Sequence, residues 1–462
     1  MFLNIDKHNP NNVALQDELG RKETYGELVS FCNDVKGMVP SGSVVLIISE
    51  NSTSYVSFFI ACIENGIIPL VVGSEVDDQL LSNLFNTYRP QYIFQSKEVA
   101  DQSGRTIIKE LYDAVLVKTE HEYYKTNSKL ALLLPTSGST GSPKLVRHSK
   151  RNLESSAQMV SESLGIDNSH KPLLILPFHY TMGMSVVTSN LFAGASVFLT
   201  RKSLTDRSVW SCLQEEQINS ITGVPFSFQI LNKLRFFRSS WPDLKYIYQG
   251  GGKLSTDLFR TLCDYTSKHN KVFIATYGQT EATARMSYLP PDQAANKVCS
   301  IGVSMPKGSF SLLLNNGKIS VSGEAQGELI YEGPNVTMGY ASSIADLLLD
   351  DDNQGLLYTG DIAFRDADNF YYIIGRKSRF LKLFGLRIGL DEVEHLIKSS
   401  FPVDCFCTGT DEKLVVNINN SDYSDQVRDL LSKKLSLFHK AFEVKVVEQI
   451  SRSKAGKVIY SQ

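Results

Sequence analysis

The sequence predicts an α/β protein with a large N-terminal domain of mostly parallel sheets covered by helices, followed by a small C-terminal α+β domain. Three observations support this fold class. A chain of 462 residues is longer than one hydrophobic core usually organises. Short apolar runs alternate with helical patterns through the first half, as in parallel sheets with helical crossovers. After Gly375 this alternation gives way to hairpins and short helices.

The first half of the chain provides the predicted strands and helices of the large domain. Val44–Ser49 is an apolar run typical of a buried strand, and Thr53–Glu64 has helical spacing. A strand at Ile67–Val72, a helix at Asp77–Tyr88 and a strand at Tyr92–Gln95 continue the alternation. Further apolar runs predict strands at Leu130–Leu134, Leu173–Leu176, Ala195–Leu199, Ser220–Thr222 and Lys245–Tyr248.

The last part of the chain predicts an independent unit. Phe380–Leu390 has the pattern of a two-strand hairpin that turns at Phe384-Gly385. After it we expect the following elements: a helix at Asp391–Ser399, strands at Val403–Thr408 and Lys413–Asn417, a helix at Asp422–Leu435 and a strand at Glu443–Glu448. The predicted domains are therefore residues 1–375 and 376–462.

Composition and charge favour small-molecule partners. Apolar residues make up 42% of the chain and charged residues 21%, both ordinary for a globular protein. The 47 basic and 49 acidic residues give a net charge of -2, which predicts no electrostatic attraction to nucleic acid. We therefore expect no nucleic-acid partner.

Secretion and membrane insertion are not predicted. The segment MFLNIDKHNPNN at the start lacks the apolar core of a signal peptide. Polar residues, prolines and glycines interrupt the apolar stretches Val56–Gly73 and Leu173–Leu199, so buried elements explain them better than membrane spans. The seven cysteines are scattered, and the close pair Cys405 and Cys407 fits no common zinc signature. We expect reduced thiols and a cytoplasmic location.

The segment from Thr136 to Lys144 is the first that carries chemistry. It follows the predicted strand Leu130–Leu134 and reads TSGSTGSPK, with five hydroxyls, two glycines and a lysine. Such a loop of donors at the carboxyl end of a strand suits polyphosphate. Its spacing is not that of a Walker loop. Taken alone, the segment is also compatible with a solvent-exposed turn.

Further motifs follow this loop along nearly the whole chain, and the set resembles the superfamily of AMP-forming adenylating enzymes. This superfamily includes acyl- and aryl-CoA synthetases, the adenylation domains of peptide synthetases, and beetle luciferases. The motif form is closest to stand-alone acyl-CoA synthetases. The matching segments, in the family's order, are TSGSTGSPK, Leu176–His179 with Gly183, Gln249–Gly252, Tyr277–Glu281, Gly327–Leu329, Gly333–Asn335, Gly339-Tyr340, Tyr358–Asp361, the segment GRKSRFLKLFGLRIGLDEVE from Gly375, and Ser453–Lys457.

The resemblance implies an ATP-dependent ligase. It would activate a small-molecule carboxylic acid as acyl-AMP with release of pyrophosphate, and then transfer the acyl group to a thiol, most simply CoA. Its cofactors would be ATP and Mg²⁺, with CoA or the phosphopantetheine of a carrier protein as co-substrate. Two alternatives stay open. One is adenylation for a carrier protein or an amine acceptor supplied in trans. The other, from a different class, is a non-catalytic nucleotide-binding protein.

The resemblance also assigns roles around ATP. The Thr136–Lys144 loop would hold the β- and γ-phosphates, Thr280 would bind the α-phosphate, and Glu281 would ligate magnesium. Gly250–Gly252 would offer backbone without side chains to the adenine or the acyl group. Tyr277 would stack on the adenine base. A purely structural role for Tyr277 and Thr280 at a strand end is the alternative. Apart from Thr280, the ATP-binding residues implied in the large domain are Thr136, Ser137, Gly138, Ser139, Thr140, Gly141, Lys144, Gly250, Gly251, Gly252, Tyr277, Gly278 and Gln279.

Asp361, Arg376 and Lys457 complete the implied ATP site. Asp361 would accept the ribose hydroxyls and Arg376 would make a second ribose contact, although the two could instead form a simple salt bridge. Lys457 matches the catalytic lysine. Its ammonium would bridge the acid's carboxylate and the α-phosphate, two groups that repel each other. The family more often has Pro-Arg-Thr before this Gly-Lys, where the present chain has Ser451-Arg452-Ser453.

An acid pocket is implied around His179, which takes the place of the family's aromatic or histidine lining the acyl tunnel. Peptide-synthetase domains have aspartate there to hold an amino group, so a free α-amino acid is disfavoured. A buried structural histidine is the alternative for His179. The remaining pocket residues, mostly small or apolar, suit an uncharged acyl or aryl group: Thr181, Met182, Thr222, Val224, Pro225, Gln279 and Ala282.

The resemblance finally implies that the small domain is mobile. Gly385 and Arg387 match the segment that lines the thiol tunnel after the small domain rotates. Ser378 occupies the hinge position, where the family usually has aspartate or lysine, and a small residue there still permits rotation. Basic residues around Arg376 and Arg387 would attract CoA phosphates or would simply form a solvated face.

Overall fold

The computed structural model describes residues 1–76, 78–100, 106–135, 144–377, 379–383, 386–410, 413–435, 441–452 and 458. Within these ranges, the side chains of residues 380, 382–383, 386–387, 392 and 434–435 lie outside the description. The chain forms two compact units, each built from separate segments. The first contains Met1–Ser309 and Tyr331–Leu357, and the second contains Phe310–Ile330 and Tyr358–Gln462.

The strands run through both units. In chain order they are β1 (Val13–Asp17), β2 (Lys22–Thr24), β3 (Val44–Ser49), β4 (Ile68–Gly73), β5 (Tyr92–Ser96), β6 (Ile107–Leu111), β7 (Ala114–Lys118), β8 (Leu130–Pro135), β9 (Leu145–Ser149), β10 (Pro172–Leu174), β11 (Val197–Leu199), β12 (Ser220–Gly223), β13 (Tyr246–Gln249), β14 (Val272–Tyr277), β15 (Ser287–Tyr288), β16 (Val303–Ser304), β17 (Ser309–Leu313), β18 (Ile319–Ser320), β19 (Ala325–Glu332), β20 (Tyr340–Ala341), β21 (Leu356–Arg365), β22 (Tyr371–Arg376), β23 (Phe380–Leu383), β24 (Leu386–Gly389), β25 (Cys405–Thr410), β26 (Lys413–Ile418) and β27 (Phe442–Val446).

Helices connect most of the parallel strands. They are α1 (Tyr25–Val35), α2 (Thr53–Glu64), α3 (Asp78–Tyr88), α4 (Lys97–Ala100), α5 (Lys150–Leu164), α6 (Thr181–Phe192), α7 (Arg207–Glu215), α8 (Pro225–Lys233), α9 (Thr256–Lys268), α10 (Leu390–Ser400) and α11 (Ser424–Leu435). Short 3₁₀ helices occur at Phe2–Lys7, Phe236–Arg238, Thr280–Ala282, Pro291–Gln293, Ala345–Leu348 and Ser421–Tyr423. Among the described residues, no helix is both long enough and apolar enough to cross a membrane.

A nine-stranded sheet of the first unit positions most of the candidate site. Its order is β16-β15-β14-β13-β12-β10-β11-β1-β2. Strands β14, β13, β12, β10, β11 and β1 are parallel, and β2, β15 and β16 add antiparallel edges. The register pairs Ile221 with Ile247 and Ile247 with Phe273. These residues are buried, which is why short apolar runs identify the parallel strands.

The first unit also contains an eight-stranded sheet, with the order β20-β9-β8-β4-β3-β5-β7-β6. Its central strands β8, β4, β3 and β5 are parallel. Helix α2 packs on this sheet through Phe58, which stacks on Phe94 of β5 with ring centroids 4.1 Å apart. The neighbouring Phe59 meets Phe178, which follows β10 of the other sheet, at 5.2 Å. Helix α2 therefore contributes to a core shared by both sheets.

The second unit combines three smaller sheets. One has the order β18-β17-β19-β21-β22, the hairpin β23-β24 forms another, and β25-β26-β27 form the third. Strands β26 and β27 are parallel, while β25 and β26 are antiparallel. Helices α10 and α11 contribute Val393, Ile397, Val427 and Leu431 to one apolar core with the last sheet.

These observations confirm the predicted fold class: an α/β protein with a large N-terminal part of parallel sheets and a smaller α+β part. The strand Val44–Ser49 and the helix Thr53–Glu64 have the predicted bounds. The hairpin predicted at Phe380–Leu390 is present as β23 and β24. The division at residue 375, which concerns the segments that move together, stays a prediction.

Candidate active site

Four loops of the candidate site follow neighbouring parallel strands. Strands β10, β12, β13 and β14 lie side by side and run in the same direction. The loops after them are Leu176–His179, Val224-Pro225, Gly250–Gly252 and Gly278–Glu281. Because the carboxyl ends of parallel strands meet at one edge of a sheet, distant motifs come together where α/β proteins bind ligands.

The glycine turn after β13 packs closely against its neighbours. A Cβ atom on Gly250 would lie 2.2 Å from Met182 Cε and 2.7 Å from Thr276 Oγ1. Gly251 has a φ of +73°, and a Cβ there would lie 2.9 Å from Val224 Cγ1. The turn therefore needs glycine for space and for backbone conformation, and it presents main chain rather than side chains.

The segment after β14 forms a tight turn. A Cβ atom on Gly278 would lie 1.5 Å from the carbonyl oxygen of Ala284, so no other residue fits in this conformation. Thr280–Ala282 form one 3₁₀ turn, and the following Thr283 and Ala284 have φ values of 50° and 79°. The Thr280 hydroxyl lies 3.4 Å from the hydroxyl of Thr181, which begins helix α6. This contact joins the loops that follow β10 and β14.

Asn335 holds this turn from a distant part of the sequence. Its buried amide donates to the carbonyl oxygens of Ala282 and Arg285 at 2.8 and 3.1 Å. The Tyr331 hydroxyl donates to its Oδ1 at 2.8 Å, and the Thr283 hydroxyl donates to its carbonyl oxygen at 2.8 Å. Asn335 belongs to a motif found in the sequence, but its positioning role was not predicted.

Glu281 and Lys144 flank one tyrosine that the sequence analysis did not assign. The Tyr340 hydroxyl donates to Glu281 Oε1 at 2.9 Å, and Lys144 Nζ lies 3.6 Å from the centroid of the Tyr340 ring. Lys144, the last residue of the predicted phosphate loop, and Glu281, the predicted magnesium ligand, therefore both contact Tyr340. The contact between Tyr340 and Glu281 spans 59 residues, so no local signal in the sequence could reveal it.

The residues around Glu281 fit a magnesium ion that is held mainly by phosphate and water. Glu281 offers a partly exposed carboxylate, a hard oxygen ligand. The described part of the chain contains no group of three or more His, Cys, Asp or Glu residues that could hold a metal. Mg²⁺ commonly takes one or two protein carboxylates and completes its shell with substrate phosphates and water. Glu281 supplies one such carboxylate, and its role as the magnesium ligand stays a prediction.

His179 is positioned by the residue before it. Phe178 is fully buried, and its backbone N–H donates to Asn51 Oδ1 at 2.8 Å. His179 itself is partly exposed and lies against β4, since a Cβ on Gly73 would be 2.4 Å from its Cε1. Its Nε2 is 4.0 Å from a carboxylate oxygen of Glu75. Phe178 is therefore the core residue of this motif, and the role of His179 in the acid pocket stays a prediction.

The other predicted pocket residues lie near the glycine turn or the turn after β14. Met182 and Val224 form an apolar cluster with Leu176. Thr222 is buried at the end of β12, and Ala282 is completely buried. A Cβ on Gly252 would lie 3.1 Å from Pro225 Cγ. Gln279 Nε2 lies 3.4 Å from the Tyr277 hydroxyl, to which it donates.

Asp361 and Arg376 face each other in the second unit. They are cross-strand neighbours on β21 and β22, and Arg376 Nε donates to Asp361 Oδ1 at 2.8 Å. Asp361 is buried, whereas Arg376 is about half exposed. Asp361 and Arg376 therefore form the salt bridge that the sequence analysis gave as the alternative. Because a carboxylate can accept more than one hydrogen bond, this contact does not exclude the predicted ribose contacts.

Several predicted residues lie outside the described part of the chain. They are Thr136, Ser137, Gly138, Ser139, Thr140 and Gly141 of the phosphate loop, the hinge residue Ser378, Gly385 of the thiol tunnel, and the catalytic Lys457. The backbone of Arg387 pairs with Lys382 in the β23-β24 hairpin, but its side chain is outside the description.

Comparison with protein families agrees with this geometry. Residues 4–341 match the model of the family described as AMP-binding enzyme. The chain belongs to this family. This agrees with the family resemblance found in the motifs.

Relatives of this AMP-binding enzyme have two kinds of name. A 2-succinylbenzoate--CoA ligase of Listeria innocua is 22% identical, over 97% of this chain and 95% of the relative. A D-alanine--D-alanyl carrier protein ligase of Bacillus licheniformis is 24% identical, over 85% and 81%. The two names differ in both the acid and the acceptor.

Solved structures share the fold of this AMP-binding enzyme. The O-succinylbenzoate coenzyme A synthetase MenE from Bacillus subtilis, in complex with AMP, matches with a TM-score of 0.78 and 20% identity. This match covers 99% of the present chain and 96% of that chain. ATP-bound MatB from Rhodopseudomonas palustris matches with a TM-score of 0.76 and 19% identity, over 99% and 97%.

Proposed function

We propose that this AMP-binding enzyme activates a carboxylic acid with ATP and transfers the acyl group to a thiol, with CoA as the acceptor. One observation carries the proposal. Thr280, Glu281 and Lys144 lie around a single turn, and Thr181, which contacts Thr280, is followed by Met182 of an apolar cluster with Leu176 and Val224. Groups suited to phosphate and magnesium therefore adjoin a place for an acyl chain.

The first step forms the acyl-adenylate. A carboxylate oxygen of the acid attacks the α-phosphorus of ATP, and the bond from that phosphorus to the oxygen bridging to the β-phosphate breaks. Thr280 donates to the α-phosphate, and the Thr136–Lys144 loop disperses the charge of the departing pyrophosphate. Glu281 would hold magnesium, which would neutralise phosphate charge. Asp361 accepts hydrogen bonds from the ribose hydroxyls, with Arg376 beside it.

Lys457 supplies the mobile positive charge of this step. The attacking carboxylate and the α-phosphate are both anionic, and an ammonium group between them reduces their repulsion as they approach. Its place in the segment Ser-Lys-Ala-Gly-Lys supports this role through the family resemblance.

The second step forms the thioester. The thiol sulfur attacks the acyl carbon, the bond from that carbon to the AMP oxygen breaks, and AMP leaves. The family resemblance places Gly385 and Arg387 along the thiol path after rotation at Ser378. One rotation of the small domain would move Lys457 away and admit the thiol. The same site could then serve both reactions.

The acceptor separates the main proposal from its nearest alternative. Relatives named for CoA ligation and for carrier-protein ligation both match this chain. The segment Pro177-Phe178-His179 with Gly183 resembles the form found in acyl- and aryl-CoA synthetases, which supports CoA as the acceptor. We also propose a cytoplasmic location, with which the seven free cysteines agree.

Two assays test the function. ATP–pyrophosphate exchange over a panel of aliphatic, aromatic and amino acids should respond to at least one acid, because adenylation is reversible. If no acid supports exchange, the non-catalytic alternative replaces the proposal. AMP release should then be measured with that acid and CoA, a phosphopantetheinylated carrier protein or an amine. Stimulation by the carrier or the amine but not by CoA would replace CoA as the acceptor.

A further inference from the structure

Arg285 is a buried arginine with no anionic partner among the described residues. Its side chain is buried, and its Nη2 atom has no hydrogen-bond partner in the part of the chain that the structure describes. Nε donates only to Met182 Sδ, at 3.3 Å. A thioether sulfur is a weak acceptor, so the guanidinium is left without the carboxylate or carbonyl groups that usually surround a buried arginine.

Two other fully buried arginines show what a structural arginine looks like in this protein. Arg147 donates to four backbone carbonyl oxygens and to the carboxylate of Asp352. Arg365 donates to two carbonyl oxygens and to the hydroxyls of Ser320 and Tyr371. The protein itself supplies five hydrogen-bond acceptors to Arg147 and four to Arg365. Arg285 is the exception among these three side chains.

The Arg285 guanidinium keeps its charge. Burial lowers the pKa of Arg285 to about 10, which leaves the group protonated at neutral pH. An uncompensated charge in the interior destabilises a fold, and replacing it with an apolar group is often neutral or stabilising. A residue of this kind therefore indicates a ligand that supplies the missing negative charge.

A second unpartnered donor lies close to Arg285. The Tyr248 hydroxyl is buried and has no hydrogen-bond partner among the described residues. Burial raises the pKa of Tyr248, and the nearby charge of Arg285 acts in the opposite direction. Tyr248 lies on β13, two residues before the glycine turn. Met182 contacts Arg285 through its sulfur and approaches Gly250 through its methyl group. Arg285 therefore lies beside Met182, a residue of the predicted acid pocket, and the charge of Arg285 is near the Tyr248 hydroxyl.

We propose that Arg285 and Tyr248 bind a second carboxylate at the far end of the substrate, so that the activated acid is a dicarboxylic acid. This inference rests on the proposed function. One carboxylate reacts at the α-phosphate while the other receives hydrogen bonds from Arg285 Nη2 and the Tyr248 hydroxyl. Rotation of the flexible Met182 side chain opens the path to Arg285. The expectation of an uncharged acyl group, drawn without Arg285, is revised accordingly.

The experiment compares each dicarboxylic acid with its monomethyl ester and with the monocarboxylic acid of equal length. ATP–pyrophosphate exchange is measured for wild type, Arg285→Met, Arg285→Lys and Tyr248→Phe. Wild type should prefer diacids. Arg285→Met should lower kcat/KM for diacids by at least about 30-fold, since losing one partner of a buried charged pair is strongly unfavourable. Monoacids should be unaffected or improved. Arg285→Lys should retain part of the preference, and Tyr248→Phe should weaken it.

Controls separate recognition from folding. Tyr246→Phe alters the same strand two residues away and should leave the diacid preference unchanged. Arg285→Met should melt no lower than wild type, because an unpaired buried charge is removed. A lower melting temperature together with equal loss for diacids and monoacids would show a structural role and overturn the proposal. Equal loss without a lower melting temperature would assign Arg285 to the reacting carboxylate, which also overturns it.

The two proposals fail in different ways. If wild type exchanges pyrophosphate only with monoacids, adenylation stands and the dicarboxylate proposal is wrong. If no acid supports exchange, the dicarboxylate proposal is judged by melting temperature alone. Diacids should then raise the melting temperature of wild type but not of Arg285→Met, and the absence of that difference would overturn it.

Discussion

At the scale of single residues, the site depends on side chains whose partners lie far away in the sequence. Glu281 receives its hydrogen bond from Tyr340, and the turn that carries Glu281 is held by Asn335. The motifs identified Glu281 and Thr280 because their types and spacing are distinctive. Tyr340 and Asn335 also lie in motifs, but contacts across more than fifty residues cannot be deduced from one sequence.

The sharpest residue-scale prediction concerns Lys457. Lys457→Ala should lower acyl-adenylate formation by at least about 100-fold, because the charge that relieves repulsion in the transition state is lost. ATP binding should change little. Single-turnover formation of acyl-AMP and equilibrium ATP binding measure the two effects. Lys454→Ala, three residues earlier in the same segment, is the matched control. If both variants lost adenylation equally, Lys457 would have no special role.

At the scale of elements, buried apolar strands and helices were predictable. Helix α2 and strand β3 have the predicted bounds because nearly all of their side chains are buried. Strand β1 was missed because it contains Gln16 and Asp17, which look unsuited to a core. Asp17 is buried, but the hydroxyl of Thr53 donates to it at 3.0 Å. Polar strand residues satisfied by distant partners thus conceal a strand from sequence analysis.

The turn after β14 gives an element-scale prediction. Gly278→Ala should destabilise the protein by about 3 kcal/mol or more, because the new Cβ would collide with the Ala284 carbonyl and overpacking strains the backbone. The melting temperature and pyrophosphate exchange should both fall. Gly375→Ala is the control, since a Cβ there would meet nothing closer than 3.9 Å. Equal stability of the two variants would contradict the close approach.

Glu23, on strand β2, makes stability depend on pH. Burial, opposed by a hydrogen bond from the Ser57 hydroxyl, raises the pKa of Glu23 to about 7 from 4.5. Between these values the folded protein binds the proton and the unfolded chain does not. The contribution of Glu23 to the free energy of unfolding therefore decreases as pH rises from 4.5 to 7 and then stays constant. The total decrease is up to about 3 kcal/mol.

Glu23→Gln should abolish this loss because glutamine is neutral at every pH. Urea unfolding measures the free energy of unfolding at pH 5 and pH 8. The increase of this free energy in the variant over wild type should be larger at pH 8. Glu27 provides a control of opposite sign, since hydrogen bonds from Thr24 lower its pKa in the capping box of α1. The stability that ionised Glu27 contributes is lost as pH falls. Glu27→Gln should therefore lower the free energy of unfolding less at low pH than at high pH. The same pH dependence in wild type and Glu23→Gln would contradict the assignment.

At the scale of the whole molecule, the fold class was predictable because alternating strands and helices, and then hairpins, extend over hundreds of residues. The sequence pattern did not indicate that Phe310–Ile330 groups with the second compact unit. The domain boundary at residue 375 stays a prediction. A segment that leaves one unit and later returns gives no signal in local composition.

Rotation at Ser378 gives the prediction for the whole molecule. Ser378→Pro restricts the backbone at the proposed hinge, so the thioester step should slow by about tenfold or more while adenylation changes less. Single-turnover acyl-AMP formation and CoA-dependent AMP release measure the two steps. Ser378→Ala, which keeps backbone freedom, should behave as wild type. Equal losses in both steps would exclude a hinge at this position.

The dependence of the Thr280–Arg285 turn on Asn335 has a consequence during synthesis. Residues 280–285 leave the ribosome about fifty residues before the amide that fixes their carbonyl groups. A nascent chain that has not yet exposed Asn335 therefore carries Thr280 and Glu281 on a loop that lacks these hydrogen bonds. We therefore expect the turn to reach its final conformation only after Asn335 has been synthesised.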